Sequence, residues 1–225
     1  MLLKALREEI VFYGMQLLES GMTMHTGGNL SARDPKTGLI AIKPSARAYR
    51  GLQAEDIAVI DANGSLVEGG YQPSSEWRMH AAIYRRFPQA RAVVHCHSPY
   101  ATALAALGTP LPLVSHELCC YCSKPVITAP FAMPGSEELG LAALNALGEE
   151  NEVAFLQNHG QVAYGASLWH AMDAACAAEQ AAQVWMMTRP LGKAAEVPEQ
   201  ARKLLRAYDP LQKEELPENI EIRSV

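Results

Sequence analysis

Long apolar runs are missing from this chain of 225 residues. No stretch approaches the roughly 20 apolar residues of a membrane-spanning helix, so no membrane attachment is expected. The opening residues MLLKALREEI carry Lys4, Arg7, Glu8 and Glu9 among their apolar positions, which interrupts the apolar stretch that a secretory signal requires. An excess of basic charge is missing too: 19 Lys and Arg face 24 Asp and Glu, and the basic residues are scattered. That excludes the electrostatic footprint of a nucleic-acid or anionic-membrane partner, so any bound anion has to be held locally. Cysteine is neither plentiful nor regular. Cys96, Cys119, Cys120, Cys122 and Cys176 are odd in number and unevenly spaced, which fits reduced thiols and a cytoplasmic protein better than a disulfide framework. The CCYC cluster at 119–122 has no second cysteine pair at zinc-finger spacing and reads as packing or surface thiols. Internal repeats and a G-x-G-x-x-G loop are absent, which argues against a dinucleotide-binding parallel sheet.

About half of the residues, 49%, are hydrophobic, enough for one domain over residues 1–225 with a polar tail from about residue 208. Apolar positions at helical spacing predict a helix over residues 2–20, followed by a Gly-rich loop from Thr26 to Ser31. Turn residues at 34–38 and 61–64 punctuate short apolar runs and predict two hairpins. Further helices are expected from near Ser75 to Phe87, from Tyr100 to Leu107, from Ser136 to Leu147, from Ser167 to Thr188 and from about Pro198 to Ala207. Strands are expected at 92–95, 125–128 and 153–156, with a Pro-rich connection through residues 111–117. Hairpins among helices imply an α/β layered domain with a mixed, partly antiparallel sheet.

The stretch RAVVHCHS (91–98) places His95 and His97 one residue apart at the end of an apolar run. Residues i and i+2 of a strand share a face, so the two imidazoles point one way and Cys96 the other. A bare H-x-H is most often two strand-end histidines. His159, at another strand end in NHG (158–160), completes the three-imidazole set with an open position that catalytic Zn²⁺ uses. His25, His80, His116 and His170 read as loop, helix face, loop and helix surface, with His116 left open. Three polar turns are able to hold an anion: Asn29 in GGN, Ser45–Ala46 in KPSA, and Ser74–Ser75 before a helix, where free N–H groups favour phosphate. Taken singly, each also reads as an ordinary cap or turn. Glu76 follows the serines and belongs to the first helical turn, either as a charge opposing the dipole or as a proton-transfer group.

Five motifs in this order, TGGNLSAR (26–33), KPS (43–45), SSEWRMH (74–80), HCHSPYAT (95–102) and NHG (158–160), resemble the class II aldolase/adducin family over nearly the whole chain. The resemblance implies a three-layer α/β/α fold around a mostly antiparallel mixed sheet, assembled as a homotetramer with active sites between subunits. It implies Zn²⁺ on His95, His97 and His159, and a substrate phosphate held by Asn29, Ser45, Ala46, Ser74 and Ser75. The implied reaction is reversible cleavage of a ketose 1-phosphate to dihydroxyacetone phosphate and a short aldehyde, through a metal-stabilised enediolate, with Glu76 moving the proton. The family's epimerases usually carry aspartate after the two serines, so Glu76 leans toward an aldolase. Epimerase, dehydratase and decarboxylase chemistry within the family, and a non-catalytic adducin-like binding module, are the competing expectations; the family's non-catalytic members lose the metal histidines, whereas this chain retains all three. Two departures stand out. Ala46 replaces the glycine that usually follows Ser45, with Arg47 and Arg50 close behind; and Glu117 replaces the tyrosine that serves the aldolases as an acid in a neighbouring subunit's site, leaving Tyr121 one turn further on.

Overall fold

A computed structural model describes residues 1–207; the polar tail expected from about residue 208 lies outside the described residues. The chain begins with α1 (Lys4–Glu19), then forms β1 (Asn29–Arg33), β2 (Ile40–Ile42), β3 (Ala58–Ile60) and β4 (Leu66–Glu68). These are followed by α2 (Trp77–Arg86), β5 (Ala92–Cys96), α3 (Pro99–Leu107) and α4 (His116–Tyr121). The remainder comprises β6 (Thr128–Ala129), α5 (Glu137–Leu147), β7 (Val153–Leu156), β8 (Gly160–Gly165), α6 (Leu168–Thr188) and α7 (Glu199–Ala207). No helix among the described residues is long and apolar enough to cross a membrane.

The eight strands form one sheet in the order β4-β3-β2-β1-β5-β8-β7-β6. Every pairing is antiparallel except β6 with β7. Strand residues alternate between the two faces, and each face builds its own core. Ala92, Val94 and Cys96 join Leu17 of α1, Leu104 of α3, Leu118 of α4 and Ala178 of α6. Val93, from the same strand, joins Met79 and Ile83 of α2 and Leu139 and Ala143 of α5. The result is the expected three-layer arrangement. Both hairpins form, and Cys96 does turn into the core opposite His95. The alanines of α6 that face the sheet, among them Ala171, Ala175, Ala178 and Ala182, are completely buried. Their small side chains let this helix sit close to the sheet, and its register is fixed by Ser167, whose hydroxyl accepts from the N–H of His170. Such a cap contributes about 1 kcal/mol.

Four local expectations shift. The strand expected at 125–128 is confined to Thr128–Ala129, because Val126 is tied by an isolated bridge to Leu111 in the Pro-rich connection. The Gly-rich loop is shorter than its composition suggests: Asn29 to Ala32 are already strand, paired with His95 to Ala92. Helix α2 begins at Trp77, so Glu76 is its N-cap residue and not part of the first turn. The cause is Ser74, whose N–H donates to the Lys43 carbonyl and so ties the preceding residues to another loop. The expected loop around His116 contains α4, capped by Ser115.

Candidate metal centre

The register between β1 and β5 sets Asn29 directly opposite His95, and β8 flanks the other side of β5 with Cys96 opposite Gln161. Gly160 is demanded at that crossing, because a Cβ there would lie 2.2 Å from the Cys96 carbonyl oxygen. Gly28 has φ +64, and a Cβ on it would lie 2.6 Å from the His95 carbonyl oxygen. The two glycines therefore let the His159 turn and the Asn29 loop close on the end of β5 from both sides.

His95, His97 and His159 meet at this point. One ligand atom from each lies within 4.8 Å of the others, forming a group able to hold a divalent metal ion. His95 is completely buried, and its Nδ1 lies 2.8 Å from the Gln161 carbonyl oxygen. A carbonyl only accepts, so Nδ1 carries the proton and Nε2 keeps its lone pair for the centre. That Nε2 is 3.1 Å from His97 Nε2. Glu76 closes the group: Oε2 is 3.2 Å from His95 Nε2 and Oε1 is 3.4 Å from His159 Nε2. Oε1 is buried without a hydrogen-bond partner. Three imidazoles and a carboxylate oxygen left without a donor fit a cation well.

Electrostatics follow from this crowding. Burial alone would raise the Glu76 carboxyl, but the facing His95 and His159 imidazoles and the Asn29 amide bring it well below the usual carboxylate range. Burial lowers His97 and His159 to about 4, with the field of His95 adding to the effect. Burial also opposes charge on His95, but Glu76 beside it prevails and raises it.

The anion-binding candidates gather next to Glu76. A bridge between Pro44 and Pro73 joins their loops, with the Ser45 N–H donating to the Gln72 carbonyl and the Ser74 N–H to that of Lys43. Ser45, Ala46 and Ser75 are exposed there, whereas Ser74 is buried. Ala46 has φ 53, a left-handed conformation in which a Cβ costs about 1–2 kcal/mol. Being exposed, it gives up little packing on truncation. Ala46→Gly is therefore expected to stabilise the fold by a net 0.5–1 kcal/mol or so, once glycine's larger unfolded-state entropy is subtracted. Urea denaturation checks this, and a lowered midpoint would contradict it.

Asn29 is not a free anion ligand. Its Nδ2 donates to Glu76 Oε2 at 2.9 Å, and its Oδ1 lies 2.5 Å from His80 Nε2. One amide hydrogen is left for a substrate oxygen. His80, expected on an ordinary helix face, is completely buried. The periodicity of α2 held the signal, since His80 shares its apolar stripe with Ile83 and Tyr84. Lys43 is a further site residue that the sequence pattern does not single out. It is 1% exposed, its Nζ lies 3.2 Å from the Thr26 carbonyl and 4.7 Å above the Tyr49 ring, and burial brings its pKa down to about 8. Among the described residues no carboxylate pairs with it, so it places a cation behind the Ser45 and Ser74 loops.

Glu117 is not brought to this group within one chain. It lies on α4, half exposed, with its carboxylate 3.2 Å from His116 Nδ1. The end of α4 is fastened to the far end of β7, where the Tyr121 carbonyl accepts from the Glu152 N–H. Tyr121 is no substitute acid, because its buried phenol donates to Asp173 of α6. Burial and that carboxylate push its pKa up.

A sheet end carrying three converging imidazoles, a buried carboxylate and a serine-lined double loop defines a protein class. Residues 8–186 match the family described as Class II Aldolase and Adducin N-terminal domain, and the chain belongs to the class II aldolase/adducin family. It is 38% identical over 199 residues to the 5-deoxy-D-ribulose 1-phosphate aldolase of Bacillus thuringiensis serovar kurstaki, covering 88% of this chain and 92% of that one. It is 32% identical over 204 residues to an L-ribulose-5-phosphate 4-epimerase of Salmonella paratyphi C, covering 85% and 89%. A solved L-fuculose 1-phosphate aldolase superposes with a TM-score of 0.86 at 34% identity, over 90% of this chain and 95% of the other.

Proposed function

We propose that this protein is a Zn²⁺-dependent aldolase that reversibly cleaves a ketose 1-phosphate to dihydroxyacetone phosphate and a short aldehyde. The observation that carries the reading is the Glu76 carboxylate, set within 3.4 Å of two of the three histidines and one residue from the exposed Ser75. Bound at the histidines, a divalent cation supplies Lewis-acid stabilisation of the negative charge that develops on the ketose oxygens. Ser45, Ser74, Ser75 and the Ala46 N–H hold the phosphate, with Lys43 behind them as a fixed charge. The spare hydrogen of Asn29 orients a substrate oxygen. In the condensation direction, the Glu76 carboxylate takes a proton from the hydroxymethyl carbon of dihydroxyacetone phosphate. That carbon then attacks the aldehyde, and an acid protonates the aldehyde oxygen as it becomes a hydroxyl.

Glu117 is the acid in this reading, reaching the site from a neighbouring subunit of a homotetramer. Its exposure and distance from its own chain's histidines support that role, as does the engagement of Tyr121 elsewhere. The 38% identical aldolase and a glutamate at position 76 favour aldol cleavage. The 32% identical epimerase makes 4-epimerisation of a pentulose 5-phosphate the second reading. Metal-loaded protein incubated with dihydroxyacetone phosphate and a panel of short aldehydes should form new ketose 1-phosphates, identified by NMR. An absence of condensation, together with interconversion of pentulose 5-phosphates, would replace the first reading by the second.

A further inference from the structure

Behind Glu76 lies a polar chain with every member buried. Asn29 Nδ2 donates to Glu76 Oε2 at 2.9 Å, Asn29 Oδ1 is 2.5 Å from His80 Nε2, His80 Nδ1 is 2.7 Å from Ser31 Oγ, and Ser31 Oγ is 2.7 Å from Tyr84 Oη. The direction of every proton follows from one end. A carboxylate only accepts, so the Asn29 nitrogen faces Glu76 and the Asn29 oxygen faces His80. That oxygen also only accepts, so His80 carries its proton on Nε2, leaving Nδ1 bare. Nδ1 takes the Ser31 hydroxyl proton, and the Ser31 oxygen takes that of Tyr84. With the other tautomer, His80 Nε2 would accept, the amide would turn over, and two acceptor oxygens would face each other at Glu76.

We infer that His80 is a positioning residue: as the Nε2–H tautomer, set by the Asn29 oxygen on one side and matched by the Ser31 and Tyr84 hydroxyls on the other, it holds the Asn29 amide with its nitrogen toward Glu76 and the substrate. The burial that keeps water from competing for these bonds also keeps His80 uncharged, lowering it to about 3 with the field of His95 assisting. The hydrogen bonds of His80, Ser31 and Tyr84 reach the site through Asn29. Its catalytic consequence rests on the aldolase reading; its tautomer does not.

The test has two arms. In ¹⁵N-histidine NMR of the full chain loaded with Zn²⁺, the signal absent from the His80→Gln spectrum should show the Nε2–H tautomer. Ser31→Ala, which removes the partner of Nδ1, should leave that signal as Nε2–H, because the Asn29 oxygen still accepts its proton. An Nδ1–H or imidazolium signal in the unmodified protein would overturn the inference even if no turnover were found. In the condensation assay, His80→Phe should lower kcat roughly 10–100-fold, as expected for removing a group that orients a reacting one, with metal content unchanged. His80→Gln, whose amide nitrogen can donate where Nε2–H does, should recover most of the rate. Equal losses in both variants, with aldolase activity present in the unmodified protein, would overturn the positioning role and leave the reaction assignment standing.

Discussion

Replacing His97 with alanine should strip the protein of tightly bound divalent metal and reduce aldol activity by about 10³-fold or more, the equivalent of several kcal/mol of Lewis-acid stabilisation. Catalytic zinc sites typically use three protein ligands. Losing one leaves only His95 and His159, too few to hold the ion tightly. His97 is the most informative of the three to remove. It is the most exposed of the three, whereas His95 is completely buried, so its truncation disturbs the core least. Thermal unfolding of the variant should match that of chelated unmodified protein, which separates loss of metal from loss of fold. His116→Ala is the control, since this imidazole meets only the exposed Glu117 carboxylate and should change neither metal content nor stability measurably. Elemental analysis after gel filtration reads the outcome. A His97→Ala protein that retains stoichiometric metal would remove the three-histidine centre from the reading.

The sequence made the local parts of this site legible and hid the parts that depend on pairing. His95 and His97 were visible because strand periodicity is two, and α5 and α6 because Ser136 and Ser167 announced their caps before apolar runs. Periodicity cannot say which strand lies next to which. The order β1-β5-β8 sets Asn29 opposite His95 and brings His159 alongside, and those contacts span about 65 residues or more of chain. Asn29 was read as a phosphate turn for that reason, although its amide is mostly engaged inside the protein. His80 reads as an ordinary helix-face histidine because its partners, Asn29 and Ser31, come from a strand about 50 residues earlier. Lys43 ends an apolar run and reads as part of a turn; only the stacked loops around it reveal a buried cation that no carboxylate among the described residues pairs with. Glu117 was legible as a departure from the family pattern, and the fold adds only that it lies on α4 beside His116, apart from its own chain's histidine cluster.

Glu76→Gln and Glu117→Gln should fail at different steps, and that difference tests the division of labour between the two carboxylates. Glutamine matches the size of Glu76 and leaves an oxygen to accept from Asn29, so the 2.9 Å contact can survive the change. It cannot take a proton. Loss of a positioned general base typically costs 10²–10⁴-fold, and a fall of about that size is expected for Glu76→Gln, with metal still bound by the three histidines. The half-reaction isolates the step: in D₂O, the protein should exchange one hydroxymethyl hydrogen of dihydroxyacetone phosphate, a signal that ¹H NMR follows without any aldehyde present. Glu76→Gln should lose this exchange together with condensation. Glu117→Gln, if this residue protonates the aldehyde oxygen from a neighbouring subunit, should keep the exchange and lose only condensation. Its exposed position on α4 makes a folding defect an unsuitable explanation for that loss. Exchange at the unmodified rate in Glu76→Gln would assign the base elsewhere and leave Glu76 as a metal ligand only, whereas joint loss of metal and exchange would make its charge part of the centre itself. Loss of exchange in Glu117→Gln would collapse the distinction between the two roles, because a residue that acts on the aldehyde has nothing to do before an aldehyde arrives.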